Sequence, residues 1–189
     1  IETIVAPLMV IEIIPGPEID LAGVQGVLFT SANGARAFGV RSSDRDIPVY
    51  AVGDATARAS KDLKFKNVTT ASGDVDDLAA LVCRSCDPNN GDLLHACASV
   101  VAGELSGILT TNGFRVARHV LYEAKAAQKL SVKVTEAIRA KKVDGVIVYS
   151  PRTAHILDTL VVDAGLSTAL ADMKLFALSQ NVSKASTSV

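Results

Sequence analysis

Two segments of this 189-residue chain share one construction. Gly26-Val27-Leu28-Phe29-Thr30-Ser31 continues to Ala35, and Gly145-Val146-Ile147-Val148-Tyr149-Ser150 continues to Ala154. Each reads as a short buried strand, a hydroxyl residue where the strand ends, and the start of a helix. Each is followed by a further strand, Val49 to Val52 and Lys174 to Leu178. These strands lead into the small-polar turns Gly53-Asp54-Ala55-Thr56 and Ser179-Gln180-Asn181. A unit used twice predicts two similar α/β domains facing each other. Ligands of α/β sheets bind outside the carboxyl ends of the strands, so two such ends can form one cleft.

Between the repeats the chain alternates strands and helices. Val27 to Thr30, Val49 to Val52, Val68 to Ala71 and Leu93 to Ala96 read as strands. Leu78, Leu81 and Val82 have helical spacing, as do Leu105, Ile108 and Leu109. Asp74 or Asp76 is placed to cap the first of these helices, and Asn112-Gly113 stops the second. Such alternation predicts a parallel sheet with helices on both faces. Ile4 to Ile14 and Arg115 to Ala126 break the rhythm as long extended runs. The expected organisation is therefore a middle α/β domain over residues 15–118, entered and left by linkers at 4–14 and 119–126. Residues 127–189 then form part of a second α/β domain whose other segment precedes residue 1.

Composition narrows the function. The formal net charge of −1 gives no overall basic footprint for nucleic acid. No apolar run approaches the length that spans a bilayer, and Ile1 to Ile14 lacks the basic start of a signal peptide. With three cysteines there is no disulfide framework, and the expected compartment is the cytoplasm. Cys83-Arg84-Ser85-Cys86 falls late in a helix, whereas a redox pair sits at a helix start, where the dipole lowers the thiol pKa. Ordinary packing is the expectation for it, and no metal-ligand cluster is legible.

The hydroxyl residues offer more. Thr30, Ser31 and Ser150 lie where strands end and helices begin, and Thr56 lies in the first turn after the next strand. Free N–H groups at helix starts bind anions, although Ser and Thr there also serve as plain N-caps. Several such residues converging from two domains would suit a ligand with many carboxylates. Tyr122 lies in the second extended run, where it either points into the cleft or packs as an ordinary strand tyrosine.

Phe29-Thr30-Ser31-Ala32-Asn33 followed by Ala51-Val52-Gly53-Asp54-Ala55-Thr56-Ala57 resembles the paired signature of uroporphyrinogen-III synthases. Leu121-Tyr122-Glu123, after Gly113-Phe114-Arg115-Val116, resembles that family's linker, and Ser150-Pro151-Arg152-Thr153-Ala154 resembles its second-domain turn. The resemblance covers nearly the whole chain in the expected order. It implies two flavodoxin-like parallel-sheet α/β domains, joined by a two-stranded extended linker with the cleft between them. Against that pattern, the first strand and helix and the final helix region are missing.

The implied activity is a cofactor-free lyase reaction on hydroxymethylbilane, a linear tetrapyrrole with eight carboxylates. Its terminal hydroxyl is expelled, ring D is inverted through a spiro intermediate, and the macrocycle closes. Tyr122 is the implied catalytic residue. Thr30, Ser31, Asn33, Thr56, Ser150 and Asn181 are the implied substrate-binding residues. The expected protein is a monomer in transient contact with the enzyme that makes its substrate, with no nucleic-acid or membrane partner. Two departures stand out: Tyr149 replaces a common Thr, and Ser179-Gln180-Asn181-Val182 replaces a turn with Gly and threonines, so that Asn181 or Ser183 would have to substitute. The contrasting reading of the same features is a two-lobed small-anion binding or sensor protein with no catalysis, which would not need Tyr122.

Overall fold

The computed structural model describes residues 2–100, 104–170 and 173–186. In chain order the elements are β1 (Met9–Ile13), β2 (Val24–Phe29), α1 (Ala32–Arg41), β3 (Val49–Ala51), α2 (Asp54–Asp62), β4 (Val68–Thr70), α3 (Val75–Ser85) and β5 (Asp92–Ala98). They continue with α4 (Leu105–Thr111), β6 (Val116–Ala126), α5 (Val132–Arg139), β7 (Gly145–Val148), α6 (Pro151–Asp163), α7 (Ser167–Leu170), β8 (Lys174–Ala177) and α8 (Gln180–Lys184). The fold is mixed α/β with a mainly parallel sheet. The chain forms two compact units, one of Ile11–Ala124 and one of Ile1–Val10 with Lys125–Val189.

The larger unit is built on a six-stranded sheet ordered β1-β6-β5-β2-β3-β4. The four neighbouring pairs from β6 across to β4 are all parallel. Alternation along β2 explains the layers. Val27 and Phe29 face one side, where Ala35, Ala37 and Phe38 of α1 pack with Phe65. Leu28 faces the other side, where Tyr50 joins Leu78, Ala79 and Val82 of α3 and Leu105 and Leu109 of α4. Phe29, Phe38 and Phe65 meet with ring centroids 5.6–6.0 Å apart, the edge-on arrangement that aromatic quadrupoles favour for two of the three pairs.

Counted from β2, the five parallel strands stand in the order 3-2-1-4-5, whereas a flavodoxin-like sheet has 2-1-3-4-5. Hydrophobic period cannot distinguish the two. A right-handed crossover can carry the chain to either side of β2, and the strands read the same in both. In the observed order the chain leaves β2 for β3 and β4, then returns to β5 on the other side. The switch point therefore lies between β2 and β5, and crevices form at the carboxyl end of such a point.

The smaller unit has a two-stranded parallel sheet, β7-β8. Its core joins Leu130, Ile138, Val148, Ala154, Leu157, Leu160, Val161, Leu166 and Val182. The repeat seen in the sequence is present in the backbone. In β2 and β3 the partners Phe29 and Ala51 each stand two residues before the caps Ser31 and Gly53. In β7 and β8 the partners Val148 and Ala177 each stand two residues before the caps Ser150 and Ser179. The match extends to a glycine under an aromatic ring. A Cβ on Gly26 would lie 2.8 Å from the Tyr50 ring, and a Cβ on Gly145 would lie 2.8 Å from the Phe176 ring. Each glycine occupies the fifth position before its cap. What covers the pairs differs. Leu28 and Tyr50 are buried under α3 and α4, while their counterparts Ile147 and Phe176 are 58% and 55% exposed.

Candidate active site

The carboxyl end of β2 supplies the first groups. Phe29 ends the strand, Thr30 follows, and Ser31 has the extended dihedrals of an N-cap (φ −157°, ψ 155°). The Ser31 Oγ accepts the Gly34 N–H at 3.1 Å, which satisfies one of the free donors of the first turn of α1. The sequence repeat places Ser150 in the same role at α6. There a full capping box forms: Thr153 N–H donates to Ser150 Oγ at 3.2 Å, and Ser150 N–H donates to Thr153 Oγ1 at 3.1 Å. Ser179 caps α8 by accepting from the Val182 N–H. Asp74 caps α3 by accepting from the Asp77 N–H at 2.8 Å.

Tyr122 arrives from the other side of the switch point. Along β5 and β6 the register slips: Cys97 faces Val120, but Ala98 faces Tyr122. One extra residue in β6 therefore bulges at Leu121. A bulge interrupts strict alternation and re-aims a side chain. Its signature is that the consecutive residues Leu121 and Tyr122 are both buried in the same core cluster. The Tyr122 hydroxyl reaches the Ser31 Oγ at 2.7 Å. The Tyr122 carbonyl accepts the Ser99 N–H at 3.1 Å, which ties β6 to the end of β5.

These groups open on a cavity of about 370 Å³ within the larger unit, at the lower end of the range of ligand pockets. Thr30, Ser31 and Tyr122 line it together with Asp74 at the start of α3 and Ala98 at the end of β5. Asn33 and Thr56 are not among its lining residues. Asn33 lies half-buried in the first turn of α1, its Oδ1 accepting from Arg36 at 3.1 Å. Thr56 is buried in the first turn of α2, its carbonyl accepting the Ser60 hydroxyl at 2.9 Å. Ser150 and Asn181 belong to the smaller unit, where Ser150 caps α6 and Asn181 is exposed in the first turn of α8. Cys86 ends α3, and burial pushes its thiol pKa up, away from the reactive range.

One residue at this site was missed by sequence reasoning. His95 in β5 is 3% exposed, and its Nε2 lies 3.2 Å from the Thr30 Oγ1. Its Nδ1 has no hydrogen-bond partner among the described residues. Burial holds the imidazolium pKa down to about 4, and the positive charge of Arg118, its register partner in β6, acts in the same direction. The available signal was a single polar residue inside the apolar run Leu93-Leu94-His95-Ala96.

Chemically, the site presents a phenol and two hydroxyls at helix and strand ends. It offers hydrogen-bond donors and a proton source in a partly apolar cavity. Among the described residues no group of three His, Cys, Asp or Glu could hold a metal ion, and no helix is long and apolar enough to cross a membrane.

Comparison with known proteins identifies the family. The family model of uroporphyrinogen-III synthase HemD matches residues 1–188. No curated protein matches the chain. Among solved structures, uroporphyrinogen-III synthetase from Helicobacter pylori 26695 is similar, with a TM-score of 0.59 and 17% identity over 93% of this chain and 77% of that one. A mutant uroporphyrinogen III synthase from the extremely thermophilic bacterium Thermus thermophilus is similar with a TM-score of 0.51 and 18% identity, over 95% of this chain and 76% of that one. At these identities the structures establish a shared fold, and the match along nearly the whole sequence establishes the family. This chain belongs to the uroporphyrinogen-III synthase family, lyases of tetrapyrrole biosynthesis that cyclise hydroxymethylbilane to uroporphyrinogen III.

Proposed function

We propose that Tyr122 is the proton donor of this cyclisation. The observation that carries the reading is its 2.7 Å contact with Ser31 at the cavity. The Ser31 Oγ accepts the Gly34 N–H, and in this reading it gives its own proton to the Tyr122 oxygen. The phenol proton is then free for the cavity, and a phenol stays protonated at neutral pH. Donated to the terminal hydroxyl of hydroxymethylbilane, it breaks the C–O bond and releases water. The remaining cation is delocalised onto the adjacent pyrrole. Ser31 stabilises the phenolate left behind. The substituted carbon of ring D attacks the cationic carbon to give the spiro intermediate, and the bond from that carbon to its original methylene bridge then breaks. The free α-carbon of ring D captures the released methylene cation, which closes the macrocycle, and loss of the proton on that carbon restores the pyrrole and returns a proton to the phenolate. No step changes an oxidation state, so proton transfer and positioning suffice.

Thr30 serves in this reading as a donor to the substrate and Ser31, through its remaining lone pair, as an acceptor for a pyrrole N–H, with Asn33, Thr56, Ser150 and Asn181 as further contacts. Ser150 and Asn181 are supported by their places at the starts of α6 and α8. Residues 15–118 and 127–189 act as two similar α/β domains, with 4–14 and 119–126 as the extended two-stranded linker. The protein works in the cytoplasm as a monomer, receiving its unstable substrate by transient contact with the enzyme that makes it.

The test is product identity. Hydroxymethylbilane closes spontaneously to the uninverted type I ring, so freshly generated substrate should give mainly type III with this protein. Type I alone, at the spontaneous rate, removes the proposal.

A further inference from the structure

His95 is a buried titratable group of the larger unit that the proposed mechanism does not use. It sits in β5 at the switch point, facing Leu28 of β2 in register. Its ring reaches past that partner to Thr30, the last residue before the Ser31 cap. With its pKa held near 4, the ring is neutral at physiological pH and carries a single N–H.

That proton has two possible seats. On Nδ1 it would be a buried donor with no acceptor, because Nδ1 has no partner among the described residues. On Nε2 it meets the Thr30 oxygen, and the orphan is a lone pair instead. Orphaned buried donors are rarer than under-satisfied acceptors, so the Nε2–H tautomer is the stable one. A donor arriving at Thr30 Oγ1 takes up one of its lone pairs and turns its own proton away from His95. Thr30 lines the cavity, and a carboxylate is an acceptor-only group.

We propose that His95 is a positioning residue for substrate: its Nε2–H holds the Thr30 hydroxyl as a hydrogen-bond donor to a substrate carboxylate. This rests on the reading of Thr30 as a substrate contact. His95 itself touches no substrate and moves no proton in the reaction. The pair parallels Ser31 and Tyr122, since in both a donor fixes the direction of a neighbouring hydroxyl.

The experiment is a double-mutant cycle on the full chain with hydroxymethylbilane, using His95→Phe, Thr30→Val and the double variant. His95→Gln serves as the conservative replacement, because its amide N–H can stand near the position of Nε2–H. His95→Phe should raise KM about tenfold with little change in kcat, as expected for losing a hydrogen bond to a charged group. His95→Gln should recover most of that loss. The double variant should be no worse than Thr30→Val alone. A native KM in His95→Phe while Thr30→Val is impaired, or additive effects in the double variant, overturns the role of His95 and leaves Thr30 in place. A native KM in Thr30→Val overturns the reading of Thr30 itself. Nitrogen NMR of the unaltered protein gives a readout independent of any variant's folding. The Nε2–H tautomer is expected, and the Nδ1–H tautomer overturns the proposal.

Discussion

Gly34, in the first turn of α1, packs directly on the carbonyl of Ala96 in β5: a Cβ at position 34 would stand 2.7 Å from that oxygen. The close approach lets the start of α1 settle over the switch point, and so brings Ser31 within reach of Tyr122. Gly34→Ala must push the helix away from the strand, because the obstacle is backbone and cannot swing aside. A loss of about 1–3 kcal/mol is expected, as for other overpacked sites. Turnover should fall with it as the Ser31–Tyr122 contact lengthens. Thermal unfolding and kcat measured together check this. A variant unchanged in both would show that α1 can shift freely.

Tyr122→Phe removes only the phenol oxygen. The ring stays in the core cluster, so the fold should persist. Lost general-acid assistance should lower kcat by about 10²-fold or more. Steady-state kinetics on the folded variant decide the point, and near-native turnover takes Tyr122 out of the mechanism.

Asp74 places a carboxylate in the same cavity while capping α3. Asn is as good an N-cap as Asp, so Asp74→Asn should leave stability nearly unchanged. It removes a negative charge facing a polycarboxylate ligand. KM should fall by about threefold, the scale of a charge interaction at a partly exposed site. An unchanged KM would mean that the substrate carboxylates keep clear of α3.

The pH dependence of stability should carry the mark of His95. Its folded pKa lies near 4, below the ordinary value of 6.5. Between those values the unfolded chain binds a proton that the folded chain refuses. The stabilisation is therefore fully present above pH 6.5 and is lost as pH falls through 4, by about 3 kcal/mol in all. Denaturant titrations from pH 7 to pH 4 should show a steeper loss in the parent than in His95→Phe. Parallel curves would place the imidazole in contact with water.

What could be read from the sequence was local. The strand, the hydroxyl and the helix start at Ser31 and at Ser150 are written in consecutive residues, and the caps form there. Tyr122 stood out only through resemblance. Its contact with Ser31 spans 91 positions and depends on a one-residue bulge at Leu121 that no periodicity reveals. His95 was illegible for a related reason. A polar residue in an apolar strand announces burial, but its partner Thr30 follows a strand whose neighbour is set by topology. The order of the strands was equally hidden, since a crossover to either side of β2 leaves the hydrophobic pattern unchanged.

The pairing of Gly26 with Tyr50 and of Gly145 with Phe176 bears on how mutations in this chain can be interpreted. The two segments agree in few letters, yet each lacks a side chain beneath an aromatic ring. What they share is a negative shape, the space a Cβ would have filled. Intolerance of a side chain at position 26 therefore carries over to position 145, found by counting back five residues from each cap, whereas tolerance at the strand positions whose burial differs does not.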